Sequence, residues 1–245
     1  MKEVSSPHGA AVKRRRYDAS RRRRVARERR RLVVDRAREL FLELGYARTT
    51  VGSVAQAAGV SVETVYKAFG GKAGLVRAVW ERALEGAGPV PAEHRSDEVS
   101  GSSAPASEVI ATWARLSAEV GERAAPVLAL VRSAAATDPE AAALLEEIDE
   151  ARLARMTHNA ESLAARGALR RGLTVRRAAE TMTALSSSLH DPLVRDLGWS
   201  AQEYAALVER LLAAALLDDD ATPPSPSAES GGGRRVRTHQ PPEST

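Results

Sequence analysis

The stretch Thr50-Val-Gly-Ser-Val-Ala-Gln-Ala-Ala-Gly-Val-Ser-Val-Glu-Thr-Val-Tyr-Lys-Ala-Phe-Gly-Gly-Lys72 decides how this chain is read, because it holds two short helix signals hinged at one glycine. Val51, Val54, Ala55 and Ala58 recur at i, i+3, i+4 and i+7, the single apolar stripe of a short helix. Gly59 supplies a left-handed position at the helix end without steric cost, and Ser61 is a good N-cap for the next helix. Val62, Val65 and Phe69 form a second stripe, which Gly70 and Gly71 end. Two such helices joined by a tight turn make a helix-turn-helix. The second is too short to stand alone, so neighbouring helices must hold its inner face. Its outward residues, Glu63, Thr64, Tyr66 and Lys67 with Ser61 at the start, are polar and can meet a phosphate or a base edge.

Upstream, Val33, Ala37, Leu40, Phe41 and Leu44 lie among charges from Arg29 onward and predict an amphipathic helix that Gly45 stops. Thr50 is placed to cap the helix beginning at Val51. Downstream, Lys72 opens a helix carrying Leu75, Val76, Val79 and Leu84. A cation at a helix start opposes the macrodipole, a conflict that a bound phosphate removes.

Charge is divided unevenly along the 245 residues. Residues 1–31 hold 13 Lys and Arg against 3 Asp and Glu, and the remainder holds 23 against 29. A basic end on a mildly acidic body points to an anionic polymer met at that end. Residues 1–28, with runs at 13–16 and 21–24, read as a disordered basic arm that either follows phosphates or merely solubilises the chain. There is no cysteine, which excludes disulfide scaffolds and thiolate metal sites. No apolar run has the length of a signal peptide or a membrane span, so a cytoplasmic protein is expected.

Residues 87–106, rich in Gly, Pro and Ser, read as a linker. From 107 to 217 helical periodicity dominates, with helices expected near 107–121, 124–136, 139–166, 175–189 and 201–217. The apolar face of the last, with Tyr204, Leu207, Val208, Leu211 and Leu212, suits either a core or a dimer interface. Residues 218–245 read as a disordered tail. The fold class is therefore all-α, with a helix-turn-helix domain at 29–86 followed by a helical domain at 107–217.

Chemistry is sparse outside the helix-turn-helix. The five histidines do not cluster, the acidic run Glu146, Glu147, Asp149 and Glu150 reads as a solvated helix face, and no phosphate loop or catalytic pair stands out. No enzyme activity, catalytic residue, metal or cofactor is expected. Trp113, Met156 and His158 are candidates for lining a ligand pocket, with packing or a surface role as the competing explanation.

Together, Gly45-Tyr46, Thr49-Thr50-Val51, Val54-Ala55, Ala58-Gly59-Val60-Ser61, Thr64-Val65-Tyr66, Phe69-Gly70, Lys72 and Leu75 resemble the TetR family of bacterial transcriptional regulators. The resemblance covers residues 29–85 without insertion. It implies a three-helix DNA-binding domain joined to a helical ligand-binding and dimerisation domain. It further implies phosphate contacts from Thr50, Tyr66 and Lys72, with Ser61, Val62, Glu63, Thr64 and Lys67 facing the major groove. The chain departs from common members at Gly52-Ser53, where acidic residues are frequent, and in its arginine arm. The expected function is a ligand-responsive, homodimeric repressor on a palindromic operator of double-stranded DNA, its small-molecule effector unidentified. The alternative is an effector-independent architectural protein that binds DNA with little specificity through the arginine-rich arm.

Overall fold

The structure is a computed structural model that describes the backbone of residues 8–218 and the side chains of 21–218 except 187 and 188. Among these residues the fold is all helical: α1 (His8–Arg48), α2 (Val51–Ala58), α3 (Val62–Phe69), α4 (Lys72–Leu84), α5 (Ala92–Gly101), α6 (Ala106–Ala135), α7 (Pro139–Ala165), α8 (Val175–Ser188) and α9 (Ala201–Leu216), with a π-helical turn at Asp191–Asp196. None of these helices is long and apolar enough to cross a membrane.

Local chemistry fixes the first four helices. At Gly45, with φ 80°, α1 loses its helical geometry, and the buried Thr49 hydroxyl donates to the carbonyls of Leu40 (3.0 Å) and Gly45 (2.9 Å). Thr50 then caps α2, its hydroxyl accepting from the Ser53 amide at 3.0 Å while the Ser53 hydroxyl accepts from the Thr50 amide at 3.1 Å. Ser53 thus stands in for the Glu or Gln that usually completes a capping box. Gly59, at φ 64°, turns the chain, and Ser61 caps α3 by accepting from the Thr64 amide. A Cβ on Gly74 would lie 1.7 Å from the Phe69 carbonyl oxygen, so only glycine lets α4 start this close to the end of α3.

Two apolar cores run through the molecule. The first gathers Val33, Ala37 and Phe41 of α1, Val54 of α2, Val65 of α3 and Leu75, Val76 and Val79 of α4, and continues without a break into Leu128 and Val131 of α6 and Leu144 and Ile148 of α7. The second gathers Ile110 and Trp113 of α6, Leu163 of α7, Met182 of α8 and Tyr204, Val208 and Leu212 of α9. Flanking that buried face of α9, Leu207 and Leu211 are only half-buried. The ion pair Arg77–Glu147, at 2.6 Å, spans α4 and α7 beside the first core.

Three expectations are corrected. The basic arm at residues 1–28 is not wholly disordered: from His8 onward it is the first part of α1. Like-charge repulsion and the lack of apolar anchors favour an extended arm, but arginine and alanine are good helix formers and Arg24 pairs with Glu28 one turn on. The linker at 87–106 contains α5, whose polar surface is held by tertiary partners. Glu119 takes both guanidinium arms of Arg95, at 2.6 and 2.9 Å, and the Ala87 amide at 2.6 Å. Arg166 donates to the carbonyls of Val99, Ser100, Ser102 and Ala104. The helices expected at 107–121 and 124–136 are one, α6, which passes through Pro126. Losing one backbone hydrogen bond there is offset by burying Ala124, Val127 and Leu128 on either side. The tail expected from 218 onward lies outside the described residues except for Asp218.

Candidate functional site

The exposed face of α3 follows from its single buried anchor. Val65 is fully buried, and Ser61, Val62, Glu63, Thr64, Tyr66 and Lys67 are all exposed. Val62, read from periodicity as part of the inner stripe, is 45% exposed and belongs to this outer face. Val60 and Phe69, partly buried at either end of α3, pack against the same core. Arg30 of α1 secures the far end, donating to the Ala68 carbonyl at 2.8 Å and stacking 4.3 Å over the Phe69 ring. A groove of about 970 Å³ opens between α1 and α3, with Arg21 and Arg29 on one wall and Thr64 and Lys67 on the other. Four polar or cationic side chains thus share one concave surface, as an anionic backbone requires.

Lys72 sits at the edge of that face, turned back on the fold. Its ammonium lies 3.3 Å from the Ala47 carbonyl and 4.2 Å from the centre of the Tyr46 ring. Burial lowers its pKa, with the Asp138 carboxylate opposing. The Tyr46 phenol is pushed up to about 12, first by burial and then by the charges of Asp138 and Glu140. Asp138 also caps α7, so one carboxylate serves the body of the molecule and faces the helix-turn-helix.

The second feature is a cavity of about 390 Å³ enclosed by α4 to α9. Trp80 and Leu84 close its end nearest the helix-turn-helix, and Trp113, Met156, Met182 and Leu212 form apolar walls. The charged groups at its rim are paired: Arg155 with Asp97 at 2.7 Å, and Arg152 with Asp149 at 3.1 Å. The hydrogen bond from Arg155 holds the Asp97 carboxyl below its usual pKa. Three residues of the lining each carry a fully buried polar atom without a hydrogen-bond partner: Trp113 Nε1, Asn159 Oδ1 and His190 Nδ1. The Asp191 carboxylate lies 3.8 Å from His190 Nδ1, beyond hydrogen-bond reach. Burial pushes the His190 imidazole pKa down, the Asp191 charge opposing, and the ring meets Tyr204 edge-on at 5.1 Å.

Residues 33–79 match the family described as bacterial regulatory proteins, tetR family. The helix-turn-helix domain is a TetR-family one. Among solved structures, the complex of SmeT, the repressor of the Stenotrophomonas maltophilia multidrug efflux pump SmeDEF, with triclosan is 21% identical, covering 84% of this chain and 100% of that one at a TM-score of 0.63. NalD, the secondary repressor of the MexAB-OprM multidrug efflux pump in Pseudomonas aeruginosa, is 21% identical over 79% of this chain and 98% of that one, with a TM-score of 0.61. FadR from Bacillus subtilis, solved with stearoyl-CoA, is also 21% identical, over 74% and 96%, at 0.60. No curated protein sequence matches the chain. It is a DNA-binding transcriptional regulator with the TetR fold.

Within this TetR fold, the residues singled out from sequence fall in two places. Thr50, Ser61, Val62, Glu63, Thr64, Tyr66 and Lys67 are exposed around α2 and α3, and Lys72 is half-buried beside them. Trp113 and Met156 line the cavity, whereas His158 does not: it points outward, with its Nε2 3.4 Å from Asp97. The inward side of α7 runs through Ile148, Arg152, Met156, Asn159 and Leu163, a helical step that leaves 158 off the stripe. Asn159 and His190 were missed as cavity residues. The spacing of Asn159 from Met156 and Leu163 carried the signal for the first. Nothing local marks His190, which packs against Gly121 where a Cβ would lie 2.4 Å from the ring.

Proposed function

We propose that the chain is a ligand-responsive repressor acting in the cytoplasm as a homodimer on a palindromic operator. The observation that carries this is α3, held by Val65 from behind with its polar residues all facing solvent. In this reading α3 enters the major groove, Ser61, Val62, Glu63, Thr64 and Lys67 face base edges, and Thr50, Tyr66 and Lys72 meet phosphates. Lys72 would exchange its contacts with Ala47 and Tyr46 for a phosphate at the start of α4. The half-buried Leu207 and Leu211 of α9 support a second copy packing there. SmeT and FadR were each solved with a small molecule, and the 390 Å³ cavity is the corresponding candidate for an effector site in this chain.

Operator fragments selected from genomic DNA test the reading by competition binding. Tyr66→Phe and Lys72→Ala should each weaken the selected site by about 1 kcal/mol, Lys72→Ala weakening all sequences alike, and Lys67→Ala should change which site is preferred. Unchanged affinity in Tyr66→Phe and Lys72→Ala rejects the docking. Deleting residues 1–28 should lower affinity and flatten its dependence on salt while keeping the preference for one palindrome. Loss of all binding on that deletion favours the architectural alternative.

A further inference from the structure

The arginine-rich stretch that precedes the helix-turn-helix is part of α1, and one of its faces is turned to α3. Arg21, Arg22, Val25, Arg29 and Arg30 line the groove of about 970 Å³ between the two helices, a spacing that marks a single helical face. Val60, Thr64, Lys67 and Phe69 stand opposite them. Among the described residues, five of the lining side chains are cations and none is a carboxylate. Arg30 ties the two walls together through the Ala68 carbonyl and the Phe69 ring. Arg21, Arg29 and Lys67 make no ion pair among the described residues. Residues 21–32 are exposed throughout, so no buried side chain anchors this part of the helix. Residues 21–31 also set eight arginines against one glutamate. Arg23 and Arg27, then Arg27 and Arg31, follow one another at i, i+4, where like charges destabilise a helix. An anionic polymer lying along the groove removes that repulsion.

From this arrangement we infer that α1 and α3 act as two jaws on one strand of the DNA. While α3 enters the major groove, the sugar-phosphate strand bordering it lies in the groove between the helices, against Arg21, Arg22 and Arg29. Arg21 and Arg29 are eight residues apart, about 12 Å along the helix, which is the length of about three nucleotides of one strand. Val25 and Ala26, between the two arginine pairs, offer the sugars an apolar surface. Thr64 and Lys67 form the wall where α3 passes from that strand to the base edges. A flexible arm reaches phosphates over a wide arc, whereas a helical jaw selects a few. The inference rests on α3 entering the major groove of an operator, and adds the strand held beside it and the residues that hold it.

Phosphate-ethylation interference and salt-dependent binding test it, using the full chain on a selected operator duplex and on a random duplex. Ala26→Pro keeps every charge and breaks the helix, and Arg21→Gln with Arg29→Gln keeps the helix and removes two charges. The unsubstituted chain should show interference at a block of about three consecutive phosphates on one strand beside each half-site, and both variants should lose it. Ala26→Pro should lower affinity about tenfold, and the double substitution should reduce the salt slope by about 2. Melting temperatures should stay unchanged, because residues 21–32 bury nothing; should Ala26→Pro lower its own, the interference block and the double substitution decide. Unchanged affinity in a stably folded Ala26→Pro, an unchanged salt slope in the double substitution, or interference scattered over many phosphates overturns the jaws and leaves operator reading by α3 standing. Equal losses on the random duplex, with no preference for the selected one, remove the operator reading and keep the jaws.

Discussion

Around Val65 and Leu75 side chains close on one another, while around Trp113 and Met182 they close on a space. The first core buries valine, leucine and phenylalanine with one unpartnered hydroxyl, that of Tyr46, and leaves the polar residues of α3 outside. The second packs around a cavity whose lining includes Trp113, Asn159 and His190. Close packing holds the exposed face of α3 in place, and the open core leaves the space that the proposed effector would fill. The same chain therefore applies two standards of completeness, each suited to what its region must contact.

The largest test of that contrast is Gly74→Ala, whose Cβ has no room beside the Phe69 carbonyl. It should cost about 3 kcal/mol or more in urea unfolding and abolish DNA binding. Leu75→Ala, deep in the packed core, should cost about 3 kcal/mol. Asn159→Leu should change stability by no more than about 1 kcal/mol, or increase it, since it removes an orphaned acceptor. A loss as large as that of Leu75→Ala would erase the distinction between the cores. Between the two regions, Glu119 fastens the loop before α5. Arg95, with the Ala87 amide, holds its carboxyl down to about 2 against an ordinary 4.5. A depressed carboxylate contributes stability above its unfolded pKa, so this contribution is complete above about pH 4.5 and is lost as pH falls toward 2. With the pair about a quarter exposed, Glu119→Gln should cost about 1 kcal/mol at pH 7 and nothing at pH 2 by thermal unfolding.

The helix-turn-helix was legible in sequence because its determinants are local. Stripe, left-handed glycine and hydroxyl cap all lie within the residues they organise, from Thr50 to Gly70. What escaped depends on partners far along the chain. Helix α5 needs Arg155 and Arg166 to hold it, and a Ser- and Gly-rich segment gives no internal sign of either. The continuity of α6 depends on packing around Pro126, which local rules treat as a break. The cavity was half visible: Trp113 and Met156 were candidates by size and softness, but proximity in sequence favoured His158 over the correctly facing Asn159. Gly74 carried the tightest steric demand at the site and resembled any other small residue in a helix start.

The unbroken core from Val54 through Val79 to Leu144 has a consequence for how the protein measures DNA. A reading head on a free hinge would tolerate half-sites at many separations. Here α2 and α3 are seated on helices whose other ends lie in the body, and α4 carries Lys72 and the cavity-lining Leu84 on one rod roughly 18 Å long. In the proposed dimer, the body therefore acts as a ruler: the spacing of the two heads is set by the stiffness of α4, α6 and α7 rather than by the heads themselves.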